Sequence, residues 1–177
     1  EGQVLFNGED IITLDKKELR GFRRRAQMVF QDPYSSLNPR LSVEQLISEP
    51  LRIHKVYSSE RETAAHVKKL MDTVGLAQRL ATSFPHELDG GRRQRVGIAR
   101  ALALQPELII ADEPVSALDA SIQAQILNLL RDLKKDFGLT YLFISHDLGV
   151  VRHMSDRVAV MYLGRIVEIA STDEVFT

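Results

Sequence analysis

The chain lacks several features that would narrow its class. It contains no cysteine, which excludes a disulfide framework and thiolate metal sites. No apolar run approaches the roughly 20 residues that a membrane-spanning helix needs, and the first residues carry no signal-peptide pattern. The 23 basic and 24 acidic residues nearly cancel, so no overall positive charge attracts nucleic acid. We therefore expect an intracellular protein that does not bind nucleic acid.

The composition is typical of one globular unit. Its 177 residues are 44% hydrophobic and 27% charged, which allows one sizeable core or a domain with a small subdomain. An Asn7-Gly8 pair between short apolar segments predicts a hairpin. The opening Glu1-Gly2 has no initiator methionine and runs straight into that hairpin. We expect the sequence to be part of a longer chain.

Short apolar runs alternate with helical patterns along the rest of the chain. A strand is predicted over 26–30, and a helical pattern extends from 41 to about 103, with Ser59 and Glu62 in a capping box. Beyond Pro106 the predicted elements are strands over 108–111 and 141–144, a helix over 121–137, and an antiparallel pair over 158–162 and 166–169. The alternation predicts an α/β fold whose parallel sheet is covered on both faces.

Two adjacent carboxylates, Asp112 and Glu113, follow the strand predicted over 108–111. One carboxylate can hold Mg²⁺ while its neighbour orients or deprotonates a water, the combination that nucleotide hydrolysis needs. Acids at a strand end also cap helices, and this is the structural alternative. Asp119 precedes the long helix, so it too is a natural N-cap.

Polar side chains also follow two other predicted strands. His146 comes after 141–144 and Gln31 after 26–30. Either residue alone would be read as a structural or exposed side chain. The carboxyl ends of parallel strands meet at one sheet edge, where open α/β folds bind their ligands. We therefore expect both side chains to lie close to Glu113.

A glycine pair, Gly90-Gly91, enters a predicted helix. Backbone N–H groups and the positive end of the dipole at a helix N-terminus suit phosphate, although a plain glycine-rich turn would look the same.

Together these motifs resemble the ATP-binding subunit of an ABC transporter. The matches are Gln31 to the Q-loop, residues 88–92 to the signature motif, 108–113 to the Walker B strand with its catalytic glutamate, 116–119 to the D-loop and His146 to the switch histidine. Residues 30–39 and 158–168 are similar to the branch that imports oligopeptides, dipeptides and nickel.

The resemblance implies a P-loop NTPase-like (RecA-like) core with an inserted helical subdomain and its N-terminal part missing. Within a single domain of residues 1–177, residues 1–31 would form the hairpin and Q-loop strand. Residues 41–103 would form the helical subdomain with the signature motif. Residues 104–177 would carry the Walker B strand, the D-loop and the switch histidine.

The resemblance also implies roles for individual residues, with ATP and Mg²⁺ as cofactors. The catalytic residues would be Glu113, as general base, with His146 and Gln31, and the metal would be held by Asp112 and Gln31. The nucleotide would be contacted by Gln31, Asp112, His146, Asp119 and, from the opposite subunit, by Asp89, Gly90, Gly91 and Arg92. Asp119 would also organise the contact with the second subunit.

The implied partners are a second ATP-binding subunit, identical or related, and transmembrane permease subunits. An extracytoplasmic solute-binding protein would act indirectly. The protein would then lie at the cytoplasmic face of the membrane. The alternatives are an ABC ATPase without a transport role and a degenerate module that only supports a competent partner.

Two departures from the family pattern bear on activity. No G-x-x-x-x-G-K-[ST] loop occurs in the 177 residues, so we expect this chain alone neither to bind ATP tightly nor to hydrolyse it. Asp89 stands where the signature motif has serine, and Arg92 where it has glutamine. An ionised Asp89 can accept hydrogen bonds but cannot donate one to phosphate, which predicts a weakened composite site that Arg92 partly offsets.

Overall fold

The computed structural model describes residues 2–177 and begins with the predicted hairpin. Strands β1 (Leu5–Phe6) and β2 (Glu9–Asp10) pair antiparallel. Asn7 and Gly8 between them have φ values of 51° and 84°, the left-handed backbone that a tight hairpin turn of this type requires. Helix α1 (Lys16–Arg25) follows and buries none of its residues.

A three-stranded parallel sheet forms the frame of the molecule. Its strands are β3 (Ala26–Val29), β4 (Leu108–Asp112) and β5 (Thr140–Ile144), in the order β3-β4-β5. Val29 lies opposite Ala111, and Asp112 lies opposite Ile144. All three carboxyl ends therefore meet at one edge, as the sequence predicted.

Helices fill the segment between β3 and β4. They are α2 (Pro33–Ser36), α3 (Val43–Ile53), α4 (Glu60–Thr73) and α5 (Gly90–Leu102), with short 3₁₀ turns at Gln78–Leu80 and Pro85–Glu87. The Ser59–Glu62 capping box is present. These helices fall within the segment 41–103, except α2, for which the sequence predicted no helix or strand. The division of the chain into subdomains stays a prediction.

The remaining elements come after β4 in the chain. Helix α6 (Ala120–Phe137) connects β4 to β5, and α7 (Leu148–Met154), which the sequence did not predict, follows β5. Strands β6 (Arg157–Tyr162) and β7 (Arg165–Ser171) form the expected antiparallel pair, and α8 (Thr172–Val175) ends the fold. The pair is a separate sheet that is not hydrogen-bonded to β3-β4-β5 within residues 2–177.

One apolar core joins the helices to the sheet. Its fully buried members include Val29, Leu46, Met71, Ile98, Ile109 and Leu130. The prediction of a sheet covered on both faces is wrong for β5, where Leu142 is 54% and Ile144 45% exposed. Tyr141 and Phe143, on the other face of β5, pack against the core. Apolar composition cannot show which faces of a strand have a neighbour, and within residues 2–177 nothing covers the face with Leu142 and Ile144. In the same part of the chain, no helix is long and apolar enough to cross a membrane.

Candidate active site

Glu113 lies one residue beyond β4 and has an unusual backbone. Its φ is 43°, in the left-handed region that costs a side-chain-bearing residue free energy. The N–H of Glu113 donates to the carbonyl of Ile144 at 2.9 Å, so β5 holds this turn in place. The Ser116 hydroxyl donates to the Glu113 carbonyl at 3.1 Å. Strained residues that the surrounding structure holds in place cluster at functional sites, which marks Glu113 as a candidate.

The Glu113 carboxylate joins the three strand ends. Gln31 Nε2 donates to Glu113 Oε2 at 2.9 Å, and His146 Nδ1 donates to Glu113 Oε1 at 2.9 Å. A carboxylate can only accept, which identifies the imidazole Nδ1–H and the Gln31 amide nitrogen as donors. The structure therefore brings together Gln31, Glu113 and His146, from three separate parts of the chain.

The electrostatics of this cluster follow from the His146–Glu113 contact. The hydrogen bond from His146 lowers the pKa of Glu113, and the same bond raises the pKa of His146. The His146 side chain is 75% exposed, whereas that of Glu113 is 22% exposed. Glu113 is therefore an ionised base at neutral pH, set back from the surface, while His146 projects into solvent.

Asp112 and Gln31 are the residues that could hold a divalent cation. Asp112 ends β4 and is half-buried, and the Gln31 amide, with its nitrogen on Glu113, has its oxygen as a possible ligand. Oxygen donors of this kind suit Mg²⁺, which proteins commonly hold by one or two carboxylates together with phosphate oxygens. Within residues 2–177, no group of three or more His, Cys, Asp or Glu side chains forms a metal cage. The donor set fits a cation that arrives with a phosphate ligand.

Asp119 has the structural role that its position predicted. It is the N-cap of α6 and accepts from the Ile122 N–H at 3.1 Å and from the Ser121 hydroxyl at 2.9 Å. These bonds lower the pKa of Asp119. A role in contacting nucleotide or a second subunit stays a prediction.

Asp89 caps the N-terminus of α5. Its carboxylate accepts from the Arg92 N–H at 2.8 Å, and Arg92 Nε lies 3.4 Å from Asp89 Oδ2. Both side chains are exposed. The end of the helix that was expected to meet phosphate thus carries its own carboxylate and an adjacent guanidinium.

Packing that sequence reasoning missed requires glycine at position 91 and leaves little room at position 90. A Cβ on Gly91 would lie 2.5 Å from Ile122 Cγ2, and one on Gly90 would lie 3.1 Å from Leu118 Cδ2. The glycine pair therefore lets α5 approach the start of α6 closely, whether or not it also binds phosphate. A cavity of about 320 Å³ opens beside it, lined in part by Asp89, Arg92 and Arg95.

Two arginines of α5 also escaped sequence reasoning. Arg93 Cζ lies 5.1 Å from the centroid of the Tyr34 ring, and Arg100 Nη1 donates to the Ser36 carbonyl at 2.8 Å. Both contacts join α5 to the segment that follows Gln31. The only signal in the sequence was the spacing of seven residues, about two helical turns.

Comparison with known proteins places these features in a family. The family described as "ABC transporter" matches residues 1–116. The oligopeptide transport ATP-binding protein OppF of Bacillus subtilis (strain 168) is 55% identical over 177 residues, which are 99% of this chain and 58% of that protein. The glutathione import ATP-binding protein GsiA of Escherichia coli O6:H1 is 55% identical over 175 residues, 99% of this chain and 28% of that protein. The chain spans about half the length of the first curated relatives that it matches.

Solved structures agree with this result. The cbiO1 protein of Clostridium perfringens, described as part of the ABC transporter complex cbiONQ, superposes with a TM-score of 0.87 at 31% identity, covering 99% of this chain and 68% of that one. The ATP-binding cassette MJ0796, in a dimeric post-hydrolysis state bound to ADP and Pi, superposes with a TM-score of 0.81 at 31% identity, covering 97% and 74%. The expected P-loop NTPase-like fold class is confirmed.

Proposed function

Since this chain belongs to the ABC transporter family, we propose that it is part of the ATP-binding and ATP-hydrolysing subunit of an importer for peptides or related small solutes, and that the longer protein, rather than this chain alone, hydrolyses ATP. Oligopeptide and glutathione import proteins among its relatives support this substrate class. Within the same sequence similarity, residues 30–39 and 158–168 are the stretches that resemble the peptide and nickel branch.

The observation that carries the proposal is the Gln31–Glu113–His146 cluster. Glu113 is ionised, because its pKa is lowered, and its carboxylate is fixed from both sides, which suits a residue that accepts a hydrogen bond from the attacking water and orients it. His146 has a raised pKa and projects into solvent, so it can meet a terminal phosphate as a hydrogen-bond donor. Gln31 holds the second oxygen of Glu113 and so fixes the plane of the carboxylate.

Asp112 and the Gln31 amide oxygen would hold Mg²⁺ beside this base. Bound Mg²⁺ neutralises charge that develops on the phosphate oxygens during phosphoryl transfer. Because Asp112 and Glu113 are adjacent in sequence, β4 positions the metal ligand and the base together. The strained turn at Glu113 lets these neighbouring acids take different tasks.

A groove beside β3 suits the proposed membrane partner. It encloses about 790 Å³ and its lining includes Met28, Phe30, Ile53 and Arg23. Phe30 is 44% and Ile53 56% exposed, an apolar surface that a cytoplasmic segment of a permease subunit would cover. Binding there would place the protein at the inner face of the membrane. A second ATP-binding subunit and, indirectly, an extracytoplasmic solute-binding protein complete the proposed assembly.

Asp89 favours a second candidate, in which this chain mainly supports a competent partner subunit. A carboxylate at the N-terminus of α5 repels phosphate that approaches from the opposite subunit. Replacing Asp89 by Ser together with Arg92 by Gln should then increase ATP-driven association with the second subunit. Unchanged association would remove the reason for this candidate.

Reconstitution tests the proposed function directly. The longer protein that contains this chain would be purified with its permease subunits and second ATP-binding subunit, placed in vesicles, and assayed for peptide uptake and peptide-stimulated ATP hydrolysis. Glu113→Gln should leave assembly intact but reduce hydrolysis by about 10²–10⁴-fold, while Glu168→Gln, an exposed carboxylate of β7, should change neither. Hydrolysis stimulated by nucleic acid, with no association with permease subunits, would refute a transport role.

A further inference from the structure

Two arginines of α5 hold the segment that follows Gln31. Arg93 places its guanidinium carbon 5.1 Å from the centroid of the Tyr34 ring, within cation–π range. Arg100 donates from Nη1 to the Ser36 carbonyl at 2.8 Å. Tyr34 and Ser36 both belong to α2, so both ends of this one-turn helix are tied to α5.

Neither arginine moves freely. Arg93 Nε donates to the Pro85 carbonyl at 2.8 Å, and this second contact holds the guanidinium in place. Arg100 is partly buried, and this burial lowers its pKa. An immobilised side chain forms its contacts at less cost in conformational entropy than a free one. The contacts therefore transmit position from α5 to α2.

Gln31 lies between two structural attachments. On its N-terminal side β3 is paired with β4, the strand that carries Glu113. On its C-terminal side α2 is attached to α5. The residues between Val29 and Pro33 must absorb any displacement of α5 relative to the sheet, since they join the two attachments. The Gln31–Glu113 hydrogen bond spans this junction.

We propose that Arg93 and Arg100 are positioning residues that fasten α2 to α5 and thereby hold the Gln31 amide on Glu113. The proposal deepens the proposed function of this site, but the contacts on which it rests exist without nucleotide.

Nuclear magnetic resonance of the ¹⁵N-labelled chain tests the proposal. The side-chain amide signals of Gln31 are assigned by their loss in Gln31→Ala. In Arg93→Ala and Arg100→Ala these signals should move from their hydrogen-bonded positions toward those of an exposed glutamine, with the larger shift in the double variant. Arg93→Lys, which keeps a cation near the Tyr34 ring, should restore most of the wild-type position. Arg131→Ala, an exposed arginine of α6, is the matched control and should cause no shift.

The outcomes separate clearly. Gln31 signals at wild-type positions in both alanine variants, with backbone signals of β4 and β5 intact, would overturn the proposal. If an alanine variant unfolds, Tyr34→Ala removes the same contact from an exposed position and must shift the Gln31 signals in the same way; no shift would equally overturn it. Since no nucleotide is present, a reconstituted protein without transport activity would refute the proposed function but leave this result standing.

Discussion

At Glu113 both the backbone and the side chain are held by neighbouring strands. The N–H bonds to β5, the carboxylate accepts from Gln31 and His146, and the residue stays at a φ of 43°. Strain of this kind persists only where several contacts determine it together. The position of this single residue therefore depends on all three strands of the parallel sheet.

The pKa shifts in this contact predict a pH window for the ion pair. As pH falls through the lowered pKa of Glu113, the carboxylate is protonated and its contribution to stability is lost. As pH rises through the raised pKa of His146, the imidazolium is lost and its contribution disappears. The pair is therefore charged only between these two values. In NMR titrations, His146 should show a lower pKa in Glu113→Gln than in the wild-type chain. An identical pKa in both would contradict the contact, and Glu168→Gln serves as the control.

Among the secondary-structure elements, the contact of α5 with α6 has the strictest geometry. Gly91 is buried against Ile122 with no room for a methyl group, whereas a Cβ at Gly97 would meet nothing within 4 Å beyond its chain neighbours and the nearby backbone of its own helix. Packing therefore requires only one of these two glycines. Gly91 allows close approach of the helices, while Gly97 carries only the entropic cost of glycine in a helix.

Substitution by alanine should separate these two cases. Gly91→Ala should lower the free energy of unfolding by about 1–3 kcal/mol, because the helices must move apart. Gly97→Ala should raise it by about 0.5–1 kcal/mol. Urea denaturation followed by circular dichroism measures both. Ile122→Ala in the Gly91→Ala background should recover part of the loss through a favourable coupling. Equal effects at the two glycines would contradict this packing.

The cap of α5 gives a second prediction at this scale. Asp89→Ala removes the acceptor for the Arg92 N–H and should cost about 0.5–2 kcal/mol of unfolding free energy. Asp89→Ser keeps an acceptor and should cost much less. The same denaturation experiment compares the two variants. If serine and alanine destabilise equally, Asp89 does not act as a cap.

For the molecule as a whole, nucleotide chemistry depends on groups beyond the Glu113 cluster. Residues 1–177 contain no G-x-x-x-x-G-K-[ST], so they supply neither its backbone cradle nor its lysine. The cluster can place a base and a metal ligand, but phosphate also needs donors on its other sides.

We therefore predict that this chain, alone in solution, binds Mg-ATP more weakly than micromolar affinity and does not hydrolyse it. Isothermal titration with Mg-ATP and a phosphate-release assay measure the two properties. ADP without Mg²⁺ is a control for adventitious binding. Micromolar affinity together with steady turnover would show that another part of the chain replaces the loop.

Local pattern predicted most of the elements and the convergence of the candidate site. The hairpin at Asn7-Gly8, the cap at Ser59 and the long helix after Asp119 each depend on neighbouring residues, and all three are confirmed. The gathering of Gln31 and His146 at Glu113 followed from parallel strand direction alone. The short helices α2, α7 and α8 were not predicted, because one or two turns give too little periodicity to detect.

The amino-acid sequence by itself determined which chemical groups are present, the order of strands and helices, and the family resemblance, because these depend on residue identity and spacing. Only the tertiary structure decided that Glu113 takes a left-handed backbone, that Gly91 is needed against Ile122, and that Arg93 and Arg100 attach α2 to α5. These features arise between residues distant in sequence, where steric exclusion and hydrogen-bond geometry exist only after the chain has folded.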